Sequence, residues 1–165
     1  MATNQNQRGQ GGYQGGGYQG SSRQGGFGAR GDDRDDTPTI NLQGIVFGAK
    51  PAADLFSTQA ERAAEEVSRA SEQMNKSSQL RRFYDELVMW QEKVGSDDAK
   101  FTDCEPYIRM LKAKAAYAKG RKHVDANFRA MFDRLIDQSS NAATLRQAKL
   151  FFEAFMAYYK IHRAQ

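Results

Sequence analysis

Six cations and no carboxylate stand in residues 106–122: Arg109, Lys112, Lys114, Lys119, Arg121 and Lys122. Elsewhere the chain mixes both signs freely. Placed on a helix at about 100° per residue, Tyr107, Ile108, Leu111, Ala115 and Ala118 share one arc that faces a core. Arg109, Lys112 and Lys119 then flank the arc on one side, and Lys114 and Arg121 on the other. An apolar stripe of this kind anchors a helix while long basic stems reach outward past its rim. The chemistry open to such stems is contact with the phosphates of RNA. The competing reading is that Lys and Arg are good helix formers that keep a surface helix in solution.

Other reactive constellations are missing from the sequence. Cys104 is the one cysteine, so no intramolecular disulfide or cysteine-based zinc site forms, and a reducing compartment is expected. Cys104 itself reads as a small buried hydrophobe. His123 and His162 make no recognised catalytic or metal-binding pattern with it. His123 beside Lys122 leaves metal-independent RNA cleavage as a minority reading. Gly15-Gly16-Gly17-Tyr18-Gln19-Gly20 matches a dinucleotide-binding spacing, but neither a strand before it nor a helix after it is expected, and the motif needs both. The expectation is a chain without catalytic residues, metal or cofactor. No apolar run approaches the ~20 residues that span a bilayer, so no membrane partner is expected and the location is read as cytoplasmic.

The elements that position the basic run follow from where helix breakers fall. Of the 15 glycines, 11 lie before position 32. Residues 1–36 are Gly, Gln, Arg, Tyr and Ser with almost no aliphatic side chains, too little apolar area to offset chain entropy, and are read as a disordered low-complexity tail. Its four arginines and four aspartates cancel, so the net charge of +4 belongs to the rest of the chain. Arg-Gly steps with interleaved aromatics can also stack on unpaired bases, which makes tail-borne RNA binding an alternative. Residues 37–51 read as an extended linker whose Ile40, Leu42, Ile45, Val46 and Phe47 dock on the domain or on a neighbouring subunit, the domain itself being the default.

Residues 52–165 read as an all-α bundle of about five helices. The first is expected over about residues 54–74, with Thr58-Gln59-Ala60-Glu61 as a capping box and an alanine stripe for close packing. The second starts at Ser77 or Ser78, carries Leu80, Phe83, Leu87, Trp90 and Val94 at three- and four-residue steps, and ends at Gly95. Arg81 and Arg82 in its first turn oppose the helix dipole unless Asp85 and Glu86 pair with them. A loop over residues 96–101 leads to acidic residues at the start of the basic helix, which stops near Gly120. The fourth takes up Val124, Phe128, Met131, Phe132, Leu135 and Ile136. The fifth, capped by Asn141, takes up Leu145, Ala148, Phe152, Phe155 and Tyr159.

Three pieces in order resemble one family: Asn75-Lys76-Ser77-Ser78-Gln79-Leu80-Arg81-Arg82-Phe83-Tyr84, then Leu111-Lys112-Ala113-Lys114-Ala115-Ala116-Tyr117-Ala118-Lys119-Gly120-Arg121, then Phe152-Glu153-Ala154-Phe155-Met156-Ala157-Tyr158-Tyr159-Lys160. They are similar to the small subunit of the type III-A CRISPR effector, the Csm complex. The resemblance implies a helical bundle that stacks in more than one copy beside the backbone subunits, along the duplex of guide RNA and target RNA. It implies that nuclease chemistry belongs to the backbone and large subunits. Carried over by position, Arg81, Lys112, Lys114 and Arg121 are the basic contacts; Lys119 and Lys122 join them from the basic run. Residues 1–36 lie outside the family pattern. A helical adaptor that touches proteins alone is the remaining alternative.

Overall fold

The computed structural model describes residues 37–163, and the tail expectation for residues 1–36 lies outside them. A single π-helical turn, Leu55–Gln59, runs into α1 (Ala60–Ser68). There follow α2 (Ser77–Val94), α3 (Asp98–Gly120), α4 (Ala126–Gln138) and α5 (Ala142–Arg163). The described residues hold no strand, and the class is all-α.

Alternating three- and four-residue apolar spacing makes each helix one-sided, and the sides meet in one core. Phe83 from α2, Phe128 and Phe132 from α4, and Phe152 and Phe155 from α5 form a network of tilted and edge-on rings with centroids 5.1–6.5 Å apart. Such ring pairs add ~0.5–1.5 kcal/mol beyond the area they bury. α1 lies along α5, and α3 packs between α2 and α4. Helix α2 has its expected bounds, ending where Gly95 takes a φ of 61°, a left-handed conformation that glycine adopts without Cβ strain. The expected cap on α5 also forms: Asn141 Oδ1 accepts from the Thr144 amide at 2.8 Å.

Two boundaries differ from expectation. Instead of running to residue 74, α1 stops at Ser68, because its last carbonyls and the loop after it are claimed by distant groups. The Arg163 guanidinium donates to the carbonyls of Ser68, Ala70, Ser71 and Met74 at 2.8–2.9 Å. Asn75, fully buried with a φ of 54°, is the centre of this junction. Its side chain donates to Val67 O and accepts from the Asp125 amide, while its carbonyl accepts from the Tyr159 hydroxyl at 2.6 Å. The capping box at Thr58 does not form; Gln59 turns back to Asp54 Oδ2 instead.

Helix α3 begins earlier than expected, at Asp98, because Asp97 caps it by accepting from the amides of Ala99 and Lys100 at 2.9 and 3.3 Å. Phe101 and Cys104, both buried, extend the core stripe backward by two positions. The acidic stretch before Pro106 therefore lies inside the helix, as does Pro106.

Residues 37–51 lie against α4 and α5 of the same chain. Asn127 Oδ1 accepts from the amides of Thr39 and Ile40, Gln138 Oε1 from that of Phe47, and Gln147 exchanges two hydrogen bonds with Gly48. Ile40, Ile45 and Phe47 are buried beneath this polar lacing.

Candidate nucleic-acid interface

Helix α3 carries two parallel stripes offset by one residue. The inner stripe, Phe101, Cys104, Ile108, Leu111, Ala115 and Ala118, is buried. The outer one, Lys100, Asp103, Tyr107, Met110, Lys114, Tyr117 and Arg121, repeats the same steps of three and four on the side of α2, and all of it is exposed. On α2, Arg82, Glu86, Met89 and Lys93 stand one position before the buried Phe83, Leu87 and Val94 and the half-buried Trp90. Two ties join the helices: Lys114 pairs with Glu86, and the rings of Trp90 and Tyr107 stack at 5.7 Å with planes 11° apart. The resulting α2–α3 face has five cations and two acids. It also holds exposed Met89, Tyr107, Met110 and Tyr117, four of the six large exposed apolar side chains among the described residues.

The opposite flank of α3 is closed. Arg109 forks onto Glu105 and donates to the carbonyls of Ile136 (2.6 Å) and Ser139 (3.1 Å), the first of them in the last turn of α4. Lys112 reaches Asp137 of α4 at 2.6 Å. Behind it, burial pushes the Asp133 carboxyl above its usual range, against the opposing pull of Arg129 and Lys112.

The six expected contact residues are thus divided. Lys114 and Arg121 share the α2–α3 face. Lys122 follows at the end of α3 with a φ of 56°. Arg121 and Lys122 form no ion pair among the described residues. Lys112 and the partly buried Lys119 lie on the α4 side of the inner stripe. Arg81 is on α2, exposed, bonded to Asp85 at 2.6 Å and standing 5.3 Å over the Tyr84 ring. Tyr107, expected in the core arc, is 57% exposed, since Trp90 fills the space beside it.

The sequence reading does not place Lys93, Lys100, Tyr107 and Tyr117 together on the exposed face that holds Lys114 and Arg121. The signal was present in the outer repeat, masked because it mixes charged and aromatic residues. Among the described residues, no cluster of three or more His, Cys, Asp or Glu side chains is placed to hold a metal ion, and no helix is long and apolar enough to cross a membrane.

Searches of curated proteins and of solved structures return no significant match. The family model described as Csm2 Type III-A matches residues 50–165, most of the chain and the whole helical bundle. The linker that laces α4 to α5 lies almost entirely before the match. The chain belongs to the Csm2 family and is a small structural subunit of the type III-A Csm effector complex of CRISPR systems.

Proposed function

We propose that the chain is a non-catalytic RNA-binding subunit that stacks, with further copies of itself and the backbone and large subunits, along the duplex of guide RNA and target RNA. The observation that carries this reading is the α2–α3 face, where cations outnumber acids on a rigid pair of helices. A protein that holds a duplex of any sequence needs phosphate contacts and no base readout. Lys114, Arg121 and Lys122 make the principal contacts. Arg81, Lys112 and Lys119, like Lys114, are already engaged and contribute by exchanging a partner for phosphate. Exposed ion pairs are worth only ~0–1 kcal/mol, so exchange for phosphate costs little. Stacked copies raise the effective concentration of each weak contact.

Binding of single-stranded RNA, measured against salt, tests the reading. With about 0.7 counterions released per phosphate contact on a single strand, Lys114→Gln together with Arg121→Gln flattens the log-log slope by roughly 1.4. An unchanged slope would favour the adaptor reading, to which exposed Met89, Met110 and Tyr117 give some support. Labelled RNA incubated in chelator stays intact. Turnover that disappears on His123→Ala would overturn the non-catalytic assignment.

A further inference from the structure

An open cleft of about 450 Å³ lies at one end of the α2–α3 face, lined by Lys93, Lys100, Asp103, Cys104 and Tyr107. Its volume falls within the roughly 300–1,000 Å³ of small-ligand sites. Two observations say what fits it. Its wall is aromatic and already stacked from behind: Tyr107 lies parallel to Trp90, with the Lys93 ammonium 5.2 Å from the Trp90 ring. Its rim is cationic, because Lys93 and Lys100 form no ion pair among the described residues. A flat apolar surface beside two ammonium groups suits a ligand with a π-face and a negative charge a few ångströms apart. Asp103 lies on the same lining, where the two ammonium groups outnumber it.

We propose that this cleft receives one unpaired nucleotide of an RNA strand, its base stacked on Tyr107 and its flanking phosphates on Lys93 and Lys100. The proposal rests on the reading of the chain as an RNA-binding subunit and adds base stacking, which phosphate contacts alone do not include. Stacking on an aromatic side chain tolerates any base, because every base has a π-face. The site therefore holds a nucleotide that has left the duplex without imposing sequence preference.

Trp90 is the sole tryptophan, so its emission reports on this cleft and not on the rest of the chain. The full-length protein is titrated with single-stranded RNA, with an RNA duplex of equal length and with a free nucleoside monophosphate. Anisotropy of labelled RNA is followed in parallel. The single strand is expected to change Trp90 emission at concentrations about tenfold below those of the duplex. Tyr107→Ala weakens single-strand binding on the order of tenfold, and Tyr107→Phe retains it. Lys93→Gln with Lys100→Gln, both on exposed side chains, flattens the salt slope by about 1.4.

RNA that binds by anisotropy while Trp90 emission stays constant and Tyr107→Ala is neutral overturns the cleft and leaves the RNA-binding reading standing. Failure of any RNA to bind overturns both. A free monophosphate that binds as tightly as the strand replaces the strand with a soluble nucleotide. Self-association abolished by Tyr107→Ala, with RNA binding unaltered, assigns the face to a second copy.

Discussion

The two flanks of α3 are built from the same residue types and put them to opposite uses. On the α4 side, Arg109 and Lys112 are spent on Glu105, Asp137 and two backbone carbonyls. On the α2 side, Lys93, Lys100 and Arg121 form no ion pair among the described residues, and Lys114 has one partner, Glu86. What differs is the neighbouring helix. Helix α4 offers Asp133, Asp137 and a C-terminal turn whose carbonyls attract guanidinium groups; α2 offers a tryptophan, a methionine and one glutamate. A basic run therefore does not reveal its role through its own composition. The helices on either side decide which cations are structural and which stay available.

The strongest way to break this comparison is to cut the closed flank. Arg109→Ala leaves the carbonyls of Ile136 and Ser139 without their charged donor, and hydrogen bonds to charged groups are worth about 1.5–3 kcal/mol each when lost at partly buried sites. The variant is expected to lose about 3 kcal/mol, read as a lower urea midpoint at unchanged slope. RNA affinity of the folded protein should hold. Weaker RNA binding at full stability would mean that the closed flank is the interface.

The junction at Asn75 gives the next effect. Burial pushes the Tyr159 phenol up to about 12, against about 10 in the unfolded chain. Because the folded value is raised, the contribution is fully present below pH ~10 and lost as pH climbs through ~12, a loss of roughly 3 kcal/mol. Alkaline unfolding should track this window, and Tyr159→Phe, which gives up the bond to Asn75 O, should remove that part of the pH dependence. An unchanged alkaline limb in Tyr159→Phe would show that the junction does not control stability there.

Much of the bundle was legible in local pattern. The stripe of α2, its stop at Gly95, the Asn141 cap and the buried Cys104 all follow from spacing and turn chemistry within a few residues. What was not legible depends on residues far apart in the chain. The early end of α1 is set by Arg163 and by the contacts of Asn75 with Asp125 and Tyr159. The Asp97 cap of α3 was local and could have been read. For the site, both flanks of the basic helix were assigned correctly by angle, yet angle says nothing of Asp137 or Glu86, which arrive from α4 and α2. Tyr107 was misplaced because its angle puts it at the margin of the core arc, where the bulk of Trp90 decides the outcome.

Smaller and sharper is the contrast between Lys112 and Lys114, two residues apart on opposite flanks. Lys114→Gln should flatten the salt slope for single-stranded RNA by about 0.7. Each ammonium must first leave one carboxylate, Asp137 or Glu86, but Lys112 is the less exposed of the two, 35% against 50%, so Lys112→Gln should do so by less than half as much. Both substitutions should change stability by no more than about 1 kcal/mol. Equal slopes in the two variants would erase the distinction between the flanks.

The smallest effect concerns the acid that helps close the α4 side. Asp133 Oδ1 is buried without a hydrogen-bond partner, and its other oxygen stands 3.5 Å from Arg129 Nε. Burial raises its carboxyl pKa, so ionised Asp133 is a cost to the fold at neutral pH. That cost lessens as pH falls through the raised value toward the ordinary carboxylate range. Asp133→Asn supplies an uncharged group of the same shape and should be neutral or stabilising at pH 7, by less than about 1 kcal/mol, with the advantage fading in acid. If the variant is instead destabilised at neutral pH and the deficit disappears in acid, the charge of Asp133 holds Arg129 and Lys112 in place. The closed flank would then depend on a carboxylate network of three members, with Asp137 and Glu105 unable to hold it alone.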